Sequence, residues 1–251
     1  MQLIDTYRRL VETCPNLHVQ LVGEAPVGNW VRVADVAGCA EALDAAIEGA
    51  AARILAKHGR PARPDVAASR LLHHYLWSTE LLISGPWYLM GSIASVTPDQ
   101  LWTDPASGDF ALLTRLSVVD GADPAAVRDA VERCVRPLLD AFGPRVRRGP
   151  HALWGMAGDD LVAGIWYLGR MLGEEERAVR RAEELFSGTD GLGRFPYRAD
   201  FRTLHGADRD YVTRTRTGCC LNYTLKAGKP CLTCPRLTDD ERLRRLETPA
   251  G

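Results

Sequence analysis

Residues Arg214 to Pro235 read RTRTGCCLNYTLKAGKPCLTCP, and this stretch divides the chain into two kinds of sequence. Four of the seven cysteines fall inside it: the adjacent pair Cys219-Cys220, ten residues, Cys231, two residues, then Cys234-Pro235. From Arg194 to Arg236 turn formers replace helical periodicity, and upstream of about Gly191 the pattern is different. There, apolar residues recur at helical spacing. The expected fold is α+β and α-rich. Residues 1–190 form a helical body with a few short strands, and residues 191–251 form a small irregular module built around the cysteines.

Working outward through the body, Leu3, Tyr7, Leu10 and Val11 share one helical face, and Pro15 ends that helix. VQLV and WVRV, on either side of Pro26-Val-Gly-Asn29, read as two short strands. Leu43, Ile47, Ile54 and Leu55 restore helical spacing, with Gly59 at the capping position. Asp65 opens a further helix through Leu71, Leu72, Tyr75, Leu76 and Leu82. The uncharged run from Leu81 to Pro98 carries Gly85-Pro86 and Gly91, so it reads as a buried helix that breaks rather than a membrane span. Leu112 to Val119 reads as one strand. Asp123-Pro124 is an N-cap and first-turn pair for a helix carrying Val127, Val131, Cys134, Val135 and Leu138, which Pro137 should kink or end. Two more helices are expected over 149–172 and 174–186, and a short one over 239–246.

Composition excludes several classes. With 46% hydrophobic and 25% charged residues in 251, the chain can bury a core without leaning on disulfides. A net charge of −1 argues against a nucleic-acid binder. The start, MQLIDTYRRL, is charged throughout and lacks the apolar core of a signal peptide, so a cytoplasmic protein is expected, with no stable membrane insertion. Clustered thiols in that setting point to metal or redox chemistry.

A Cys-x-x-Cys turn lets two thiolates reach one metal centre, and four thiolates are what a [2Fe–2S] cluster needs, two per iron. Cys219, Cys220, Cys231 and Cys234 are the candidate ligands. Neighbouring cysteines can both ligate only if the backbone turns between them, which Gly218 eases. A structural zinc site on the same four thiolates is the alternative. A thioredoxin-like Cys231-x-x-Cys234 would need a βαβ setting that is missing here. A Rieske centre needs two histidines, and only His205 lies beyond Met156. Between Gly191 and Arg236 there are nine Arg or Lys against three Asp. A thiolate-ligated cluster carries a charge of about −2 to −3, so cations beside it favour the reduced form.

The run Arg214-Thr-Arg216-Thr-Gly-Cys219-Cys220-Leu-Asn-Tyr223, followed by Cys231-Leu-Thr-Cys234-Pro235, resembles the C-terminal signature of FhuF-type ferric siderophore reductases. That signature has an Arg just before a Cys-Cys pair, then Leu and aromatics, ten residues, and Cys-x-x-Cys-Pro. The chain departs from it at Gly218, where Ser or Thr is more usual, and at Asn222, where an aromatic is common. The signature covers about the last sixth of the chain. Gly85-Pro86-Trp87 and Leu153-Trp154-Gly155 are similar, more weakly, to the same family and to related siderophore-synthetase domains. The resemblance implies a [2Fe–2S] cluster on the four cysteines, a cytoplasmic location and one-electron reduction of a ferric siderophore, the hydroxamate type being favoured. It also implies an electron donor such as a ferredoxin or a flavin reductase. Siderophores hold Fe(III) with hard oxygen donors that bind Fe(II) far more weakly, so one electron suffices for release. Two other functions stay open: a zinc-stabilised binding or scaffold module, and an iron–sulfur redox sensor without turnover.

Outside the cysteines, His73 or His74 is a candidate proton donor to the freed chelator, against a role as a satisfied core or boundary residue. Arg214, Arg216, Lys226 and Lys229 are expected to tune the cluster or steer the substrate. Trp77, Trp87, Trp102, Trp154 and Trp166 read as core or as a cleft wall. Arg145, Arg147 and Arg148 read as a solvated loop or a steering patch. Cys134 reads as an inert core thiol.

Overall fold

The structure is a computed structural model that describes residues 3–187, 195, 199–225 and 229–248. Its helices are α1 (Leu3–Thr13), α2 (Val33–Gly38), α3 (Ala40–His58), α4 (Pro64–Met90), α5 (Pro124–Val146), α6 (Pro150–Met171), α7 (Glu175–Glu184) and α8 (Asp239–Glu247). Short strands join them: β1 (Val19–Val22), β2 (Val31–Arg32), β3 (Ile93–Ala94), β4 (Leu101–Thr103), β5 (Phe110–Leu113), β6 (Val118–Val119), β7 (Phe201–His205) and β8 (Asp210–Arg214). The fold is α-rich α+β, as the sequence pattern predicts.

The axis of the molecule is α4. Most of its residues from Val66 to Tyr88 are buried, and α1, α3, α5 and α6 pack around it. Gly59 caps α3 in the left-handed region (φ 68°), with its amide donating to the Leu55 carbonyl at 2.8 Å. Asp123 caps α5 by accepting from the Ala126 amide at 2.8 Å, and Pro124 fills the first turn.

Contrary to the sequence expectation, α4 does not break at Gly85-Pro86; it runs on to Met90. Pro86 lacks the amide that would bond the Leu82 carbonyl four residues back. The hydroxyl of Tyr7 on α1 takes its place, donating to that carbonyl at 2.8 Å. Gly85 makes this approach possible, since a Cβ there would stand 2.7 Å from a methyl of Leu10. Pro137 likewise lies inside α5, which continues to Val146 with Cys134, Leu138, Leu139 and Phe142 buried on both sides of it. Packing of that buried face outweighs the local cost of the proline.

The strands VQLV and WVRV share a sheet without pairing, because two later strands lie between them in the order β1-β5-β4-β2. The β1–β5 pair is parallel and the other two are antiparallel. Leu112 to Val119 forms two strands rather than one: β5 in that sheet, and β6 paired antiparallel with β3. The C-terminal region holds a hairpin, β7–β8, in register from Phe201↔Arg214 to His205↔Asp210. The boundary expected near Gly191 lies outside the described residues. Among the described residues no helix is long and apolar enough to cross a membrane.

Candidate metal centre

Strand β8 ends at Arg214 and delivers the chain onto the middle of α6. In extended backbone, residues two apart face the same way. Arg214 thus reaches Asp159, and Arg216 reaches both Asp159 and Asp160, a fully buried acid pair in a largely apolar helix. Arg214, 1% exposed, donates through Nη2 to Asp159 Oδ1 at 2.5 Å and through Nε to the Ala199 carbonyl at 3.2 Å. Asp159 also accepts from the backbone amides of Thr217 and Gly218, each at 3.1 Å. One carboxylate therefore fixes the two residues that lead into Cys219-Cys220. A side chain at Gly155 would crowd Thr217, whose Cγ2 stands 3.3 Å from the position of a Cβ.

Arg216, 7% exposed, donates through Nη2 to Asp160 Oδ1 at 3.2 Å and through Nη1 to His73 Nε2 at 3.0 Å. A guanidinium only donates, so His73 Nε2 accepts and its proton sits on Nδ1, facing Asp160 Oδ2. Burial pushes the His73 pKa down; Asp160 opposes that and Arg216 adds to it. His74 donates through Nε2 to the Gly108 carbonyl at 2.7 Å, and burial lowers its pKa as well. Both imidazoles are thus held neutral. For Arg216, burial acts to lower the pKa, but Asp160, Asp159, Cys220 and Cys231 outweigh it and hold the group charged.

Two sulfurs, one from each half of the motif, come together: Cys220 Sγ and Cys231 Sγ are 3.6 Å apart. That is too long for a disulfide of about 2.05 Å. It is close to the edge of about 3.8 Å that two thiolates span on a tetrahedral metal with bonds of about 2.3 Å. The Cys231 thiol next to it and then the Arg216 charge favour thiolate at Cys220, against the effect of burial. Cys231 is pushed up, first by that same hydrogen bond. The backbone bends at Thr217-Gly218 ahead of the cysteine pair and again after it at Leu221, in the left-handed region (φ 57°). Cys220 and Cys234 are buried, whereas Cys219 and Cys231 are half-buried, which leaves one side of the centre towards solvent.

The module's carbonyls are gripped by arginines. Arg148, in the loop before α6, donates to the Cys219 carbonyl at 2.6 Å. Arg242 of α8, fully buried, donates to the carbonyls of Leu232 at 2.7 Å and Cys234 at 3.1 Å. Arg245 reaches the Pro230 carbonyl at 3.0 Å, and Arg60 the Thr224 carbonyl at 3.0 Å. Asp239 holds Arg202, whose Nε lies at 2.9 Å, and also Arg242.

Of the four cations expected to tune the cluster or steer the substrate, Arg214 and Arg216 lie at the centre, both engaged with α6. Lys229 is exposed, and Lys226 lies outside the described residues. Among the described residues no three His, Cys, Asp or Glu side chains gather as a metal site; the thiols meet as a pair. The donor set nevertheless suits iron or zinc in kind, with four cysteines on two facing loops and a buried cation beside them. Asp159, Asp160 and Arg242 have no place in the sequence reading, and Arg148, expected in a solvated loop or a steering patch, instead holds the Cys219 carbonyl. Asp159-Asp160 carries a signal in retrospect: two adjacent acids in the apolar run LWGMAGDDLVAGIW require buried cationic partners.

Three clefts adjoin these elements. One of about 430 Å³ opens between α4 and α6, lined by Arg70, His73, His74, Trp77, Trp166 and Tyr167 among others. A second, of about 350 Å³, lies between α3, α4 and the segment Asn222–Leu225, and shares Arg70 and His74 with the first. The largest, about 850 Å³, lies between α3, the start of α4 and the end of α5. Acidic and basic side chains both line it, with Arg145 bonding Asp44 at 3.0 Å and Arg63 bonding Asp65 at 2.6 Å. No protein-family model matches this chain, and no curated protein matches it at a significant level.

Proposed function

We propose that the chain is a ferric siderophore reductase that holds a [2Fe–2S] cluster on Cys219, Cys220, Cys231 and Cys234 and acts in the cytoplasm. The observation that carries this reading is the Cys-Cys-x10-Cys-x2-Cys pattern, with Cys220 and Cys231 approaching to 3.6 Å beside Arg216. When bound, the cluster supplies the reversible gain and loss of one electron.

The chain's own residues do the rest. Arg216 places a permanent positive charge next to the sulfurs, where added negative charge is favoured. Asp159 fixes the approach to the Cys-Cys turn, and Arg148 and Arg242 hold the carbonyls of Cys219, Leu232 and Cys234. With these carbonyls pinned, the ligand loops are preorganised for one geometry. The half-buried side of the centre admits an electron donor such as a ferredoxin or a flavin reductase. His73, its Nδ1 proton held by Asp160, forms a wall common to the metal centre and the α4–α6 cleft, where the siderophore would lie. Fe(III) is the substrate, and its reduction loosens the chelate because Fe(II) binds hard oxygen donors weakly. The family resemblance favours a hydroxamate chelate.

Protein purified without air should contain two irons and two sulfides per chain and be coloured. After reduction with dithionite, an equivalent of ferric siderophore should restore the oxidised spectrum while an Fe(II) indicator develops colour. The distance of 3.6 Å also suits tetrahedral zinc. A colourless protein with one zinc would replace the reductase by a zinc-stabilised module, and a cluster that no siderophore reoxidises would leave a sensor.

A further inference from the structure

The clefts on either side of Arg70 have an unusual charge balance. Arg53, Lys57, Arg70 and Arg170 line them, and among the described residues no Asp or Glu does. Two of the four cations are already engaged: Arg170 lies 3.8 Å from Glu175, and Arg53 donates to the Pro105 carbonyl. Arg70 and Lys57 have no hydrogen-bond or ion-pair partner among the described residues. Arg70 is half-buried and lines both clefts. A half-buried cation in a cleft without a counter-charge is an anion contact waiting for its ligand. The wall facing it is aromatic, with Trp77 and Tyr167 edge to face at 5.5 Å and Trp166 beside them. The largest cleft differs on both counts: Asp44, Glu48 and Asp65 line it beside its arginines, and no aromatic side chain does.

We propose that the two clefts meeting at Arg70 form one site for an anionic chelate with aromatic donors, a tris-catecholate complex of a trivalent metal, with Arg70 as the anion contact. Trp77, Trp166 and Tyr167 present faces to the catechol rings, and Lys57 adds charge at the far end. A neutral tris-hydroxamate offers neither the charge nor the ring faces that this lining complements. The proposal rests on the reductase reading for the metal in the chelate, and it revises the hydroxamate preference that the resemblance implies. The site is of ordinary size for a small-molecule ligand.

Gallium(III) chelates test it, because gallium(III) is not reduced under these conditions and binding is then read independently of electron transfer. Calorimetric titration of the holoprotein should show gallium tris-catecholate binding at least about tenfold more tightly than gallium tris-hydroxamate, with gallium citrate between them. The catecholate affinity should fall as salt rises from about 0.05 M to about 0.5 M. Arg70→Gln should weaken the catecholate about tenfold and leave the hydroxamate unchanged, and Arg70→Lys should restore part of the loss. Equal or tighter hydroxamate binding by the wild-type protein would overturn the proposal, as would binding of none of the three. So would unchanged catecholate binding by an Arg70→Gln protein that melts like wild type. Should that variant not fold, the three-chelate comparison on the wild type still decides. A zinc-loaded protein that selects the catecholate would end the reductase reading and keep this site.

Discussion

In the helical body, Leu72, Leu76, Leu82, Val131, Leu138 and Phe142 lose all contact with water. In the cysteine module, the corresponding work falls to arginines bonded to main-chain carbonyls and to two buried acids. Full burial of one leucine is worth about 1.5–3 kcal/mol, and one hydrogen bond to a charged donor about the same. The two regions differ in how that energy is distributed. Apolar burial is spread over many interchangeable contacts. The module concentrates its stability in a few directional ones, each with a partner that is expensive to orphan. A short irregular segment with four cysteines cannot bury enough apolar surface by itself, so its backbone carbonyls are pinned from outside by α6, α8 and the loop before α6. The carbonyls are held by arginines outside the set that the sequence assigns to the cluster, whereas of that set Arg214 is bound to Asp159 and Arg216 pairs with Asp160 beside Cys220 and Cys231.

The contrast can be broken most forcefully at Asp159. Asp159→Ala strips Arg214 of its carboxylate and leaves the amides of Thr217 and Gly218 without an acceptor, a loss of about 3–5 kcal/mol. Urea unfolding should show it, and a shift under about 1 kcal/mol would mean that the module is not anchored there. Arg242→Ala should act locally. Two carbonyls lose a charged donor, about 2–3 kcal/mol, felt by the Cys231–Cys234 turn rather than by the body. In metal-free protein, a thiol reagent should then modify Cys234 faster while the melting of the helical core stays nearly constant; a matching drop in core melting would erase the distinction. The gentlest probe is Glu80, fully buried in α4 with neither carboxylate oxygen hydrogen-bonded among the described residues. Burial, then the charges of Asp160 and Asp159, push its pKa well above 4.5. The folded chain thus keeps a proton that the unfolded chain releases above that value, and stability declines as pH rises towards the folded pKa. Glu80→Gln should flatten that decline, by at most about 1.4 kcal/mol per pH unit, in denaturant titrations between pH 5 and pH 8. Parallel wild-type and variant profiles would show that Glu80 is already ionised in the fold.

The elements legible in the sequence are those whose cause is local. Apolar spacing marks α1, α3, α5 and α6, Gly59 marks a helix end, and Asp123-Pro124 marks a helix start. Misread elements have a distant cause. Pro86 stays helical because of a hydroxyl 79 residues away, and Pro137 because of what packs around it. FRTLH and DYVTR alternate too weakly to reveal the β7–β8 hairpin amid so many turn formers. At the candidate site, the four cysteines are legible from their spacing, and the two arginines before them from the local excess of positive charge. Their counterparts were not, because Asp159 and Asp160 stand 55 and 56 residues from the arginines they hold. Nothing in the sequence around Arg70 marks it; it stands out only through the two clefts it lines, where no Asp or Glu appears among the described residues.

The bond from Tyr7 to the Leu82 carbonyl makes the central helix incomplete by itself. Its middle turn closes only when the N-terminal helix has docked, so the two should open together as one cooperative unit. Amide protons around Leu82 would then exchange in step with those of α1, and trimming the first helix would loosen the deepest part of the protein rather than its edge.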